Sequence, residues 1–262
     1  MQRIHFGTEG WRAVLADQYT FGNVRTVARA TAAWLKTQTK SEPVAIGHDT
    51  RFMGDKSAQA VADELAAAGV KPVLCASFLP TPATSYYVAS NELAGAVVLT
   101  ASHNPAQWNG YKVKGPDGGS ALAEDAAWIG DEANRLLEQG PVEPAPEIEH
   151  ERFDVKEAYL ARVLSLVDVD AIAKAKLTVV ADTMHGAGCG FFDEALRRAG
   201  CADVRALRTN PDPTFGWKHP EPIEQNLAPS IPLTQDDDVD IGVATDGDAD
   251  RFGMMGDRKS VV

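Results

Sequence analysis

The sequence predicts an α/β protein of two α/β/α layered domains, each built on a mixed but mostly parallel sheet. Three observations carry this. Short apolar runs alternate with stretches of helical period along the 262 residues, the order produced by a parallel sheet with crossover helices on its faces. The run at 95–100, GAVVLT, shows no polar alternation, as a strand buried on both faces requires. At 140–150 the composition turns to GPVEPAPEIEH, whose prolines and acids offer neither a helix face nor a strand alternation. That stretch is expected to separate one domain at 1–145 from a second at 146–262, in keeping with about 150 residues per domain.

In the first domain a helix is expected over 21–38, because Phe21, Val24, Val27, Ala28, Trp34 and Leu35 fall on one face of a 3.6-residue period. A short buried strand follows at 44–47. The Ala-rich stretch 55–68 opens on Asp55 and stops at Gly69, the acidic start and glycine end of a helix. Strands at 73–76 and 95–100 complete the first set. In the second domain the expected order is helix 155–166, strand 177–181, helix 191–198, and strands at 204–207 and 241–244.

Thirty-seven acidic residues against 25 basic leave a net charge of −12. Such a surface repels polyphosphate backbones and anionic lipid, so neither nucleic acid nor a membrane is an expected partner. The N-terminal MQRIHFGTEGW lacks the apolar core of a signal peptide, and no stretch approaches the ~20 apolar residues of a membrane span. Cys75, Cys189 and Cys201 are odd in number and form no CxxC pair, which indicates neither a disulfide framework nor a thiolate metal site. A cytoplasmic protein is expected.

Chemistry concentrates in a few loops. TASHNP follows the GAVVLT strand directly, and ligands meet an open α/β sheet at the loops leaving the carboxyl ends of its strands. Ser102 is therefore presented to a substrate, with His103, Lys112 and Lys114 close in sequence. A hydroxyl becomes chemically useful through a base, a cation or a phosphoryl group. The surroundings of Ser102 lack the GxSxG elbow of a serine hydrolase, and an adjacent His103 suits that triad poorly.

ATDGDADRFG places Asp246, Asp248 and Asp250 at alternate positions just after the 241–244 strand. Three carboxylates this close repel one another unless a cation neutralises them, and hard oxygen donors suit Mg²⁺ or Ca²⁺. An EF-hand is excluded, since Arg251 and Asp257 stand where that loop needs Gly and Glu. FGTEGWR offers Arg12 as a bidentate phosphate fork. HGAGCGFF imitates a dinucleotide fingerprint, but Phe191 occupies the third glycine position, and the stretch reads as a strand-to-helix turn.

Together and in this order, FGTEGWR, TASHNPAQWNGYK and DGDADRFG resemble the α-D-phosphohexomutase superfamily of phosphoglucomutases and phosphomannomutases. IGHDTRFMG (46–54) and DTMHGAGCGFF (182–192) match the same group. The resemblance implies that Ser102 is phosphorylated, and that Asp246, Asp248 and Asp250 hold Mg²⁺ with the phosphoserine as a further ligand. It assigns Arg12 and Lys112 to the reacting centre, His103 beside the serine, and Arg251 to the metal loop, with Arg12, Lys112 and Arg251 contacting substrate. Family members have four domains; this chain resembles the first two, without the later sugar-hydroxyl and phosphate-anchoring loops.

The implied reaction interconverts hexose 1-phosphate and hexose 6-phosphate, with a hexose 1,6-bisphosphate as intermediate and activator. Lys112 is the candidate for proton transfer at the sugar hydroxyl. The chain on its own is expected to turn over slowly, because contacts that orient the intermediate lie in the missing domains. Two other readings remain open from the residues: a Mg²⁺-dependent phosphatase acting on sugar phosphates, and a non-catalytic module that binds them.

Overall fold

The computed structural model of the chain describes residues 3–7, 10–38 and 42–256, and the backbone of 260–261. In chain order the first part runs β1 (Phe6–Gly7), β2 (Gly10–Val14), α1 (Phe21–Leu35), β3 (Val44–His48), α2 (Gly54–Ala67), β4 (Pro72–Cys75), α3 (Thr81–Ser90), β5 (Gly95–Leu99), β6 (Trp108–Lys114), α4 (Ala123–Glu138) and β7 (Arg152–Phe153). Its sheet has the order β1-β2-β6-β5-β3-β4-β7. β5, β3, β4 and β7 are parallel, while β6, β2 and β1 join antiparallel.

The central strands are buried on both faces, as their apolar runs require. Ile46, Val97 and Leu99 face one core with Val24, Val27, Val61, Leu65 and Ile129 of α1, α2 and α4. Ala45, Val73 and Ala96 face a second core with Ala83 and Val88 of α3. The expected helix at 21–38 is α1, ending at Leu35, with Thr20 as its N-cap accepting from the Asn23 amide at 3.2 Å. The helix expected at 55–68 is α2, one residue earlier at each end.

The second part comprises α5 (Lys156–Ser165), α6 (Val169–Ala175), β8 (Thr178–Asp182), α7 (Phe192–Arg198), β9 (Asp203–Leu207), β10 (Ile241–Thr245), β11 (Phe252–Met255) and β12 (Ser260–Val261). Its sheet order is β12-β11-β10-β8-β9, with β10, β8 and β9 parallel. Each expected strand falls within one residue of these bounds. The mixed, mostly parallel α/β architecture in two sheets is the one the sequence predicts.

The Pro- and acid-rich stretch carries no regular structure, yet it is strapped along α2. The Ala145 amide donates to Glu64 at 2.9 Å and the Ile148 amide to Asp63 at 3.2 Å, while Gln59 donates to the Ile148 carbonyl at 2.9 Å. Beyond this strap, β7 adds to the edge of the first sheet beside β4. The two parts meet through aromatic rings: Tyr86 of α3 lies 6.1 Å from Tyr159 of α5, which lies 6.3 Å from Phe191. Among the described residues no helix is long and apolar enough to cross a membrane.

Candidate active site

Two loops, each leaving the carboxyl end of a central strand, close on one another. The first leaves β5. Ser102 is fully buried and adopts φ +52°, a left-handed conformation that a non-glycine residue holds only when its surroundings fix it. The Ser102 amide donates to Thr100 Oγ1 at 2.9 Å, and that hydroxyl donates to Asp49 Oδ2 at 2.6 Å. The Ser102 carbonyl accepts from Arg51 Nη2 at 2.6 Å.

The second loop leaves β10. Asp246 Oδ1 accepts from the amides of Asp250 and Arg251, both at 3.1 Å, which curls the loop around its first carboxylate. The next carboxylate reaches across to the first part: Asp248 Oδ2 accepts from Thr81 Oγ1 at 2.7 Å and from Lys112 Nζ at 2.8 Å, and the Asp248 carbonyl accepts from the Thr81 amide at 2.9 Å. Asp250 Oδ2 takes the other side of Lys112 Nζ at 3.1 Å.

The loops touch at the predicted serine. Ser102 Oγ donates to Asp246 Oδ2 at 2.9 Å. Gly247 is required at this seam, since a Cβ there would lie 2.5 Å from the Ser102 carbonyl oxygen. The glycine stretch after β8 supports the aspartate loop from behind: the Ala187 amide donates to the Gly247 carbonyl at 2.9 Å, and a Cβ on Gly186 would stand 2.6 Å from that oxygen. These glycines serve loop-to-loop contact, in line with the strand-to-helix turn expected there.

One carboxylate oxygen from each of Asp246, Asp248 and Asp250 lies within 4.8 Å of the others. Asp248 Oδ1 is buried with no hydrogen-bond partner, a costly condition for a carboxylate. Three hard oxygen donors with one orphaned lone-pair set fit a divalent cation such as Mg²⁺. Burial, and after it the charges of Asp248 and Asp250, push Asp246 up to about 8. Burial acts the same way on Asp248, but the Lys112 charge together with the hydrogen bonds from Lys112 and Thr81 outweighs it and holds that carboxyl below its ordinary range.

The basic residues divide by position. β6 runs antiparallel to β5 with Lys112 opposite Val98, which aims its ammonium at the aspartate loop. Burial alone would lower its pKa, but the charges of Asp248 and Asp250 prevail and raise it, so Lys112 here is a fixed cation rather than a base. Lys114, two residues on, lies opposite Ala96. Arg12, on β2 opposite Gly110, donates from Nη1 to Asn104 of the serine loop at 3.0 Å. Arg251 Nη1 donates to His103 Nδ1 at 2.8 Å.

His103 Nδ1 is 3.5 Å from Ser102 Oγ. Burial and then the Arg251 charge lower its pKa, so the imidazole is neutral and its Nδ1 is taken by Arg251. The hydroxyl partner of Ser102 is thus a carboxylate, and no hydrolase triad forms. Thr8 and Glu9 of the FGTEGWR motif lie outside the described residues.

Sequence reasoning passed over Asp49, Arg51 and Thr81, whose hydrogen bonds hold the two loops. A charged Asp-x-Arg directly after the apolar strand β3 was the available signal for the first two.

Comparisons with known proteins bear on the fold and the family. The model of phosphoglucomutase/phosphomannomutase α/β/α domain I matches residues 3–139, and that of domain II matches residues 157–259. The chain is 34% identical over 248 residues to a phosphoglucomutase/phosphomannomutase of Thermococcus kodakarensis, covering 94% of this chain and 54% of that protein. It is 32% identical over 250 residues to a phosphoglucosamine/phosphogalactosamine mutase of Sulfurisphaera tokodaii, covering 94% and 53%. A crystal structure from Thermus thermophilus, assigned as a phosphomannomutase, superposes with a TM-score of 0.87 at 37% identity, covering 98% of this chain and 58% of the other. The chain spans about half the length of the curated relatives it matches. With the models of both domains matched in order, the chain belongs to the phosphoglucomutase/phosphomannomutase family.

Proposed function

We propose that this chain performs the phosphoryl-transfer chemistry of a Mg²⁺-dependent phosphohexomutase, an isomerase interconverting hexose 1-phosphate and hexose 6-phosphate. One observation carries the reading: Ser102 Oγ lies 2.9 Å from the first of three clustered carboxylates, with Lys112 Nζ between the other two. A lone serine beside acids would be repelled as a phosphate ester, whereas a serine beside acids that hold a cation would not.

Asp246, Asp248 and Asp250 would hold Mg²⁺, whose chemistry there is to neutralise the carboxylates together with the phosphoryl oxygens. Phosphorylated Ser102 gives its group to the free hydroxyl of the hexose phosphate, producing a hexose 1,6-bisphosphate. The bisphosphate reorients, and its other phosphoryl group returns to Ser102. Phosphoryl transfer demands placement and charge neutralisation more than covalent help. Lys112, fixed as an ammonium by two carboxylates, supplies positive charge. Arg12 and Arg251 bracket the serine loop through Asn104 and His103, where each can grip the phosphate of the sugar. His103 stays neutral and orients Arg251. The proton lost by the accepting hydroxyl is balanced by the one that Ser102 Oγ takes up as its bond to phosphorus breaks, and Lys112, already charged, accepts neither.

The test is to incubate the chain with Mg²⁺ and glucose 1,6-bisphosphate and to measure intact mass. The expected result is one added phosphoryl group, located at Ser102 and absent from Ser102→Ala. Label at another residue, or release of inorganic phosphate from the bisphosphate with no interconversion of glucose 1-phosphate and glucose 6-phosphate, overturns the reading in favour of an unrelated site or a phosphatase.

A further inference from the structure

The guanidinium of Arg51 uses every N–H it has inside the first part of the chain. Nε donates to Asp49 Oδ2 at 3.0 Å. Nη1 donates to the carbonyls of Pro105 and Trp108, both at 2.9 Å. Nη2 donates to the carbonyls of Ser102 and Asn104 at 2.6 and 2.7 Å. Five donors are the full capacity of this side chain, and four of them are spread over the loop that carries Ser102. The Arg51 side chain is wholly buried.

With its edge satisfied, the planar group exposes only its faces. The ring of Phe215 covers one of them, its centroid 4.8 Å from Arg51 Cζ. Phe215 comes from the second part, in the loop after β9, and is itself 1% exposed. Its φ of +52° is an uncommon choice for a bulky residue, so the turn around it must be held. Asp212 does this, accepting from the Thr214 and Gly216 amides at 2.8 and 3.1 Å, while the Phe215 amide donates to the Asp212 carbonyl at 2.9 Å. The same turn is tied to the first part beside Arg51: the His185 carbonyl accepts from the Asp212 amide at 3.2 Å and from Thr50 Oγ1 at 3.1 Å.

We propose that Phe215 is a positioning residue for Ser102: by sealing the Arg51 guanidinium, it makes the rigidity of the serine loop depend on how the second part of the chain is seated. The mechanical link is independent of the reaction, while its catalytic consequence rests on the phosphoserine reading above. An open guanidinium face admits water, which competes for the same donors as the four carbonyls. A desolvated contact of this kind is worth a factor of roughly ten or more in an equilibrium.

The test uses the full chain. The amides of Ser102, Asn104 and Trp108 are hydrogen-bonded within the loop, so their hydrogen exchange reports its opening. Phe215→Leu keeps an apolar side chain and removes the ring; Phe215→Tyr keeps the ring; Phe215→Met replaces the leucine variant if that fails to fold. The leucine variant is expected to exchange these three amides about tenfold faster while the amides of β3 stay protected. Phosphoryl transfer from glucose 1,6-bisphosphate to Ser102 should slow roughly tenfold with Mg²⁺ affinity within about twofold of wild type, and the tyrosine variant should restore both rates.

Unchanged exchange in a folded leucine or methionine variant overturns the proposal. So does equal acceleration in β3, which is general loosening, and so does faster exchange with an unaltered rate of phosphoryl transfer. If the wild-type chain takes no label at all, the phosphohexomutase reading fails, and the exchange comparison alone decides the link between Phe215 and the serine loop.

Discussion

Ser102 and Asp246 stand 144 positions apart in the chain and are joined by a 2.9 Å hydrogen bond from hydroxyl to carboxylate. The contact closes the seam between the two sheets, because each residue sits on a loop leaving the carboxyl end of a central strand. Removing the hydroxyl therefore tests chemistry and seam at once. Ser102→Ala should abolish phosphorylation by glucose 1,6-bisphosphate and cost only about 1 kcal/mol of stability, the worth of one hydrogen bond. Intact mass and urea titration measure the two effects. Retained labelling would remove Ser102 from the reaction.

Lys112 and Asp248 should separate metal affinity from transfer. Asp248→Asn removes a ligand and should weaken Mg²⁺ binding by roughly a hundredfold, as loss of an anionic oxygen from a three-carboxylate site demands. Lys112→Met removes a competing cation 2.8 and 3.1 Å from two of the carboxylates. Its Mg²⁺ affinity should hold or rise, while transfer to Ser102 falls by about two orders of magnitude. Calorimetry paired with the labelling rate checks both, and a Lys112→Met chain that binds Mg²⁺ much more weakly would show that the ammonium supports the metal rather than the phosphate.

What the sequence made legible and what it hid have different physical causes. Ser102 and the three aspartates were readable because their residue types and spacing force a chemical question: an alcohol after a buried strand, and repelling charges that need a counter-ion. α1, α2 and the β5 run were readable from periodicity. α3 was not, since TPATSYYVAS buries Thr81, Ala83, Thr84 and Val88 against the sheet and presents no clean apolar face. β6 was hidden because the polar Asn109 and Lys112 are buried within it, Lys112 through its contacts with Asp248 and Asp250. Arg51 escaped notice for a third reason: its partners are backbone carbonyls, which every residue has. The Pro-rich stretch announced a change of composition but not its attachment to Asp63 and Glu64.

The state of Asp246 predicts a pH dependence. Its carboxyl is raised from 3.8 to about 8 in the metal-free fold, so between these values the folded chain holds a proton that the unfolded chain has lost. Stability then falls as pH rises across that window. Mg²⁺ needs the carboxylate and expels the proton, so its affinity should climb with pH by up to about tenfold per unit and level off above about 8. Thermal melts in EDTA and in Mg²⁺ should diverge as pH increases. Melts that stay a constant interval apart from pH ~6 to ~9 would place the proton elsewhere.

Gly247 offers a sharper probe of the seam, because its position leaves no room for adjustment. A Cβ there would lie 2.5 Å from the Ser102 carbonyl oxygen and 3.0 Å from Pro220 Cγ. The carbonyl cannot retreat freely, since Arg51 Nη2 holds it at 2.6 Å, and Pro220 is tied to the same loop through the bond from the Gly247 amide to its carbonyl at 3.0 Å. Gly247→Ala must therefore push the aspartate loop away from the serine loop. The three carboxylates travel together on that loop, so Mg²⁺ affinity should change by no more than about threefold. The loss of close packing should cost about 1–3 kcal/mol. Transfer to Ser102 should drop by roughly a hundredfold, as expected when reacting groups are displaced by about 1 Å. A Gly247→Ala chain that is destabilised yet labels at the wild-type rate would show that the approach of the two loops does not set the reaction.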